Sequence, residues 1–258
     1  MADIEHEGDT GTDTEQGLFS HLIELRSRLL KAMLTVLVVL VALIPFANTL
    51  YTELAAPLVA RLPAGGHLIA THVTSPFITP LKLALFTAVF ISVPMIIYQL
   101  WAFVSPGLYR SEKRLARPLL VAGVALFYVG CAFAYFLVLP AAFRFLTSVT
   151  PEGVQMMTDI THYLNFVVLM FFGFGLCFEV PVVVVVAAAI GLVDADKLRS
   201  WRRYAIVGAF AISAVVTPPD ATSMFLLAIP MCLLYEVGLI AVRILIRPKK
   251  TEEEASDH

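Results

Sequence analysis

Charge is scarce in this 258-residue chain: 15% of its residues are Asp, Glu, Lys or Arg, while 59% are hydrophobic. Soluble domains carry about 25% charged residues, so a water-soluble globular protein is excluded. Cysteine is equally sparse. Cys131, Cys177 and Cys232 each lie inside an apolar run, with no second cysteine at metal or redox spacing. They read as small buried hydrophobes. No Gly-rich phosphate loop, His-Glu-x-x-His, Gly-x-Ser-x-Gly elbow or cysteine–histidine cluster is present. ATP hydrolysis and intramembrane proteolysis therefore lose their usual sequence support. No enzymatic activity, cofactor, metal or nucleic-acid partner is expected. The first 20 residues lack the basic start and short apolar core of a cleavable signal peptide. No internal repeat relates the two halves of the chain.

What the chain does have is six long apolar runs, near 29–50, 76–101, 118–139, 161–190, 204–218 and 223–243. A helix needs about 20 mostly apolar residues to cross the hydrocarbon layer, and most of these runs reach that length. The connections are too short to fold as soluble domains. The predicted fold class is all-α, a polytopic membrane protein with six transmembrane helices. Residues 20–246 form the membrane domain, 1–19 a disordered acidic tail and 247–258 a charged tail.

The cations then orient the bundle. Of the 18 lysines and arginines, 15 fall on one side of the runs, in clusters around Arg26, Arg110, Lys197 and Arg243. Only Arg61, Lys82 and Arg144 fall on the other. The positive-inside bias places both termini in the cytoplasm.

Local features refine this plan. Residues 21–30 read as a short amphipathic helix with Ser20 as N-cap and Glu24 and Arg28 paired at i, i+4. The outer connections near 51–75 and 140–160 carry prolines and apolar residues, and are expected to pack together as a cap. Pro80 and Pro94 predict a bend in the second run. The last two runs are read as short: 14 residues separate Arg203 from Pro218, about 21 Å of helix against the ~30 Å of a typical core. Such an edge would thin the bilayer.

Five acidic positions are candidates for function. Glu24 and Glu112 lie where the inner face is otherwise basic. Each could pair with its neighbours, or the two could converge on a dicationic ligand, since guanidinium groups favour bidentate capture by carboxylates. Glu179 sits within the fourth run, where a carboxyl is costly unless paired or protonated. It could instead hydrate the helix break made by Pro181. Asp220 is read as the cap of the last helix. Glu236 is read as snorkelling to the interface, reaching Arg243 only loosely. Three functions remain open on these residues: a receptor using the inner carboxylates, a proton-coupled small-solute transporter using Glu179, and a structural scaffold.

Six short motifs decide among these. His21-Leu22-Ile23-Glu24-Leu25-Arg26, Ser75-Pro76-Phe77, Tyr98-Gln99-Leu100-Trp101-Ala102-Phe103, Phe136-Leu137-Val138-Leu139-Pro140, Phe178-Glu179-Val180-Pro181 and Thr217-Pro218-Pro219-Asp220 occur in order along the chain. Together they resemble the TatC family of the twin-arginine protein translocase, over about residues 20 to 245. The resemblance implies a six-helix bundle shaped like a cupped hand, in the bacterial cytoplasmic (inner) membrane. It also implies recognition of the twin-arginine signal peptides of folded cargo proteins, and transport driven by the proton gradient. Glu24 and Glu112 match the family's recognition carboxylates, with Phe103, Arg26 and Arg114 nearby. Pro57, Glu179 and Asp220 match further functional positions. Single-span partners of the TatA and TatB type are expected against the last two spans, beside Thr217 and Met224, and other copies of the chain in a receptor complex. Met224 departs from the polar glutamine common at its position.

Overall fold

The structure is a computed structural model that describes residues 10–59, 69–104, 116–150, 157, 159–216 and 221–246. Ten helices carry the described chain. They are α1 (Thr10–Leu43), α2 (Ala47–Val59), α3 (Ser75–Val104), α4 (Ala116–Phe133), α5 (Leu139–Ser148), α6 (Ile160–Phe178), α7 (Val180–Ala189), α8 (Ala195–Ser200), α9 (Arg202–Val216) and α10 (Ala221–Leu245). Short 3₁₀ and π turns join α1 to α2 and α4 to α5. Pairs of helices merge into spans, so the described residues contain five apolar helical stretches long enough to cross a membrane: Leu22–Leu54, Ser75–Val104, Ala116–Ser148, Ile160–Ala189 and Met224–Leu245. The remaining run, near 204–218, is α9, whose 15 residues reach only about 22 Å.

Proline places the breaks, and neighbouring groups repair them. Pro140 follows the π turn Ala134–Val138, as a residue without an N–H interrupts the helical ladder behind it. Pro181 opens α7 directly after the break at Glu179. Helix α3 runs through both Pro80 and Pro94 without ending. Pro94 leaves the Phe90 carbonyl without its i+4 donor, and the Tyr128 hydroxyl of α4 donates to that oxygen at 3.0 Å. Helix α7 ends in a Schellman turn: Gly191 has φ 76°, and the N–H groups of Gly191 and Leu192 return to the carbonyls of Ala188 and Ala187.

Helix α6 is the axis of the bundle. Its Tyr163, Val167, Met170, Phe174 and Phe178 recur at helical spacing and are buried among Ala134, Val138, Leu227 and Met231. A second core of Trp101, Leu119, Val185, Leu198 and Leu239 joins α3, α4, α7, α8 and α10. In lipid, helices associate through close packing rather than water exclusion, and small residues permit it. A methyl added at Gly130 of α4 would lie 2.6 Å from the Phe174 carbonyl, and one at Gly175 of α6 would lie 2.6 Å from the Phe127 ring.

Several expectations are corrected. Helix α1 begins at Thr10, inside the stretch read as a disordered tail, and is one continuous helix rather than a short amphipathic lead-in. Helix α10 has 25 residues, so the last helix is long, about 37 Å. Its short part is the apolar portion before Glu236. Glu236 itself pairs with Arg202 at the start of α9, not with Arg243. Both partners are 42% exposed, so the pair adds little stability, yet it marks a polar floor shared by α9 and α10.

Candidate functional site

At the end of the bundle where α3 finishes, Glu24 projects from α1. Helix α1 packs mainly on α3. Because Leu83, early in α3, packs with Leu50, Tyr51 and Leu54 of α2, the last turn of α3 returns toward the N-terminal half of α1. Phe103 lies in that last turn, half-buried. Glu24 and Phe103 thus occupy the same end. Glu112 and Arg114 lie outside the described residues, so their distance from Glu24 is not described. Arg26 stands on another side of α1. At about 100° per residue it stands roughly 160° around the helix from Glu24, exposed, while Glu24 is half-buried on the side facing α3.

The Glu24 carboxylate already holds a guanidinium. Arg28 donates from both Nε and Nη2 to Glu24 Oε1, one turn away. This is the i, i+4 pairing read from sequence. Both hydrogen bonds fall on one oxygen, and the side chain keeps 36% of its exposure. A carboxylate has about four lone-pair sites, so Oε2 retains capacity for a second guanidinium.

A second polar centre lies in the middle of the bundle. The break between α6 and α7 turns Glu179 toward α4, where Oε2 sits 3.1 Å from the position a Cβ on Gly123 would take. Glycine at 123 is what leaves room for the carboxyl. Among the described residues, Glu179 Oε1 is buried without a hydrogen-bond partner. Glu179 is therefore inserted into the helix packing rather than neutralised by a fixed cation.

The outer end carries a polar latch that was not singled out in the sequence. Asp159 caps α6, accepting from the backbone N–H groups of Thr161 at 2.8 Å and His162 at 3.1 Å. Its other oxygen accepts from the N–H of Thr71 at 2.9 Å and the Thr71 hydroxyl at 2.7 Å. Beside it, Thr161 meets the Thr79 hydroxyl at 2.9 Å and donates to Ser75 at 3.2 Å. The Thr71 hydroxyl, helped by three backbone N–H groups, holds the Asp159 carboxyl well below the usual carboxylate range. The N-cap was legible as an Asp before an apolar helix. The partner 88 positions earlier was not. Nearby, the Tyr163 hydroxyl donates to the Leu54 carbonyl at 3.1 Å, and Leu54 and Phe143 pack on one core. The two outer connections do meet.

Of the remaining candidates, Pro57 lies in α2, with its side chain outside the description. Thr217 and Asp220 lie outside the described residues. Met224 is half-buried in the first turns of α10, and next to it Phe225 stacks edge-on against Phe210 of α9, with centroids 5.5 Å apart. Among the described residues, no group of three or more His, Cys, Asp or Glu side chains could hold a metal.

Residues 20–230 match the family model of the Sec-independent protein translocase protein TatC. The chain belongs to the TatC family. It is 51% identical over 233 residues to the Sec-independent protein translocase protein TatC of Halothiobacillus neapolitanus, covering 90% of this chain and 64% of that longer protein. To the TatC of Haemophilus influenzae it is 47% identical over 249 residues, 96% of this chain and 97% of that one. A crystal structure described as the twin arginine translocase receptor TatC superposes with a TM-score of 0.75 at 35% identity, covering 88% of this chain and all of that chain. The TatC fold is thereby shown for this chain, a multi-pass helical membrane protein of the Sec-independent translocase.

Proposed function

We propose that this chain is the receptor of its translocase, binding twin-arginine signal peptides of folded proteins between Glu24 and Glu112 at the cytoplasmic face. The observation that carries this reading is the Glu24 carboxylate, which faces the bundle, already binds one guanidinium fork and keeps an oxygen for another. The relative solved as a crystal structure is titled a twin arginine translocase receptor, which supports the same role here. Phe103, at the same end, would pack beside the peptide, and Arg114 would border it. Both termini are cytoplasmic in this reading, as the cation bias requires. Helices α9 and α10, with Thr217 and Met224 at their outer ends, are the proposed seat of TatA- and TatB-type single-span partners. Pro57 and Asp220 are further residues assigned to partner binding or transport, and other copies of the chain join it in the receptor complex. Glu179 is assigned to transport, with the proton gradient as the driving force.

Photocrosslinking from Phe103 to Arg-Arg and Lys-Lys versions of one signal peptide tests the reading. The Arg-Arg peptide should crosslink, the Lys-Lys peptide weakly, and Glu24→Ala or Glu112→Ala should weaken the first while membrane insertion stays intact. Parental crosslinking in both variants would reject the carboxylate pair. The transporter alternative needs a second polar group on Glu179 at the same depth, and among the described residues Glu179 Oε1 has no hydrogen-bond partner. Solute uptake by vesicles holding only this protein would revive it.

A further inference from the structure

Helix α1 uses one side for the bundle and leaves the other bare. Glu24, Arg28, Thr35 and Val39 lie half-buried on the α3 side. On the opposite side Leu30, Leu34, Leu37, Val38 and Val41 form one exposed strip at helical spacing. At the polar end of this strip is an open groove of about 400 Å³, lined by Ile23, Arg26, Ser27, Leu30, Lys31 and Leu34. Arg26 and Lys31 flank it, roughly 140° apart around the helix and about 7.5 Å apart along its axis. The Ser27 hydroxyl lies between them. Neither cation has an ion-pair partner among the described residues, and the nearby acid, Glu24, is taken by Arg28 on the other side. The groove therefore carries two positive charges, no lining carboxylate and an apolar floor that runs on down the helix.

We propose that this groove binds the headgroup of an acidic glycerophospholipid, its phosphate held between Arg26 and Lys31 and its chains laid along Leu30, Leu34 and Leu37. Snorkelling alone would satisfy the two cations on a smooth helix face. Here they flank an open groove on one helix, with Ser27 among its lining residues, and Arg matches a phosphate bidentately. Basic pockets at the cytoplasmic boundary of membrane helices recognise acidic headgroups by this chemistry. A cationic signal peptide is repelled by the same charges, so this site and the Glu24 site serve opposite ligands from opposite sides of one helix. The inference rests on the membrane-spanning fold and stands whether or not Glu24 binds a peptide.

The full chain in phosphatidylcholine nanodiscs, doped with spin-labelled phosphatidylglycerol or spin-labelled phosphatidylcholine, provides the test. The immobilised fraction should favour phosphatidylglycerol, and the paired change Arg26→Gln with Lys31→Gln should lower that preference roughly thirtyfold, the scale expected from two interfacial cations. Arg199→Gln with Arg203→Gln should leave the preference intact, and Arg26→Lys with Lys31→Arg should retain most of it with unchanged helical content. An unchanged preference in the Arg26/Lys31 glutamine variant overturns the proposal. So does an equal loss in the Arg199/Arg203 variant, which would mean diffuse attraction to the surface. Loss of Arg-Arg peptide crosslinking with lipid preference unchanged would give the groove to the peptide and likewise overturn it.

Discussion

A carboxylate that holds one arginine can exchange it for another, and this frames the behaviour of Glu24. The Glu24–Arg28 pair is half-exposed and local, the kind of helical pair that stabilises by about 0.2–0.5 kcal/mol. Arg28→Ala should therefore leave thermal stability nearly unchanged and strengthen capture of an Arg-Arg peptide, because the competing guanidinium is gone. Glu24→Ala should weaken capture about tenfold or more, as expected for a charge-assisted hydrogen bond of about 1.5–3 kcal/mol. Titration of a fluorescent peptide against both variants checks the pair, and equal weakening in the two would mean that Arg28 orients Glu24 rather than competing with the ligand. Asp159 makes a second prediction at this scale. Its folded carboxyl is held below the unfolded value of about 3.9, so its stabilising contribution is complete above that value and is lost as pH falls through the folded value. The parent should lose thermal stability on acidification below about pH 4 more steeply than Asp159→Asn does. The variant should already be less stable at neutral pH, since its neutral amide can still cap α6 but offers Thr71 a weaker acceptor. Identical melting profiles against pH would show that the Thr71–Asp159 latch does not hold the outer connections together. Both residues show what sequence alone can reach. The Glu24–Arg28 pairing is local and was readable from spacing. The Asp159 partner is set by tertiary folding across 88 positions, and no local pattern encodes it.

Among the helices, the tightest constraint is where α4 crosses α6. Gly130 and Gly175 let each helix seat an aromatic or a carbonyl of the other, with no room for a methyl group at either position. Gly130→Ala should force the helices apart and cost about 1–3 kcal/mol, the range for overpacked cores, read as a lower midpoint of unfolding in mild detergent. Gly208→Ala on α9, where an added Cβ meets nothing within 4 Å, should be neutral or slightly stabilising, since alanine favours helix over glycine. The contrast between the two is the measurement. If both lower the midpoint alike, close α4–α6 packing is not what the glycine supplies. Gly123 differs in kind, because the group it admits is the Glu179 carboxyl. Proline breaks were legible in the chain, and the structure puts breaks beside Pro140 and Pro181. The continuity of α3 through Pro80 and Pro94 was legible as a single run over 76–101, but its repair was not, because the Tyr128 hydroxyl that satisfies Phe90 lies 38 residues away on another helix. The last run, read as 223–243, is borne out by α10, and Glu236 sits inside that continuing helix paired with Arg202.

For the whole molecule, the outcome is a bundle with one edge of reduced apolar height. Six motifs in order were enough to read the family fold, and three of them lie at a helix start or break, at the start of α3 and beside Pro140 and Pro181. Helix α9 spans about 22 Å, and α10 has a similar length between Ala221 and Glu236, so both share a floor at the Arg202–Glu236 pair. A bilayer core of ~30 Å must thin there or leave apolar side chains in headgroups, at a cost of a fraction of a kcal/mol per Å of mismatch. Depth-dependent labelling of single cysteines can see this directly. Ser213 is unsuitable, being fully buried and donating to the Ala209 carbonyl at 2.6 Å. Val215, 82% exposed, and Val207, 68% exposed, face outward at the outer end and middle of α9. In a thinned bilayer, a cysteine at 215 should react with a water-soluble maleimide nearly as fast as one in an outer loop, while one at 207 stays protected. A cysteine at Val129, 53% exposed on full-length α4, should also stay protected. A single-span partner with a short apolar helix would match this edge better than a span of ordinary length, and packing there should slow labelling at 215 without changing labelling at 129. Protection of all three sites in the isolated protein would mean that the lipid keeps its normal thickness around α9. The mismatch would then be absorbed by the helices, and hydrophobic length could not be what draws a short partner to this side of the bundle.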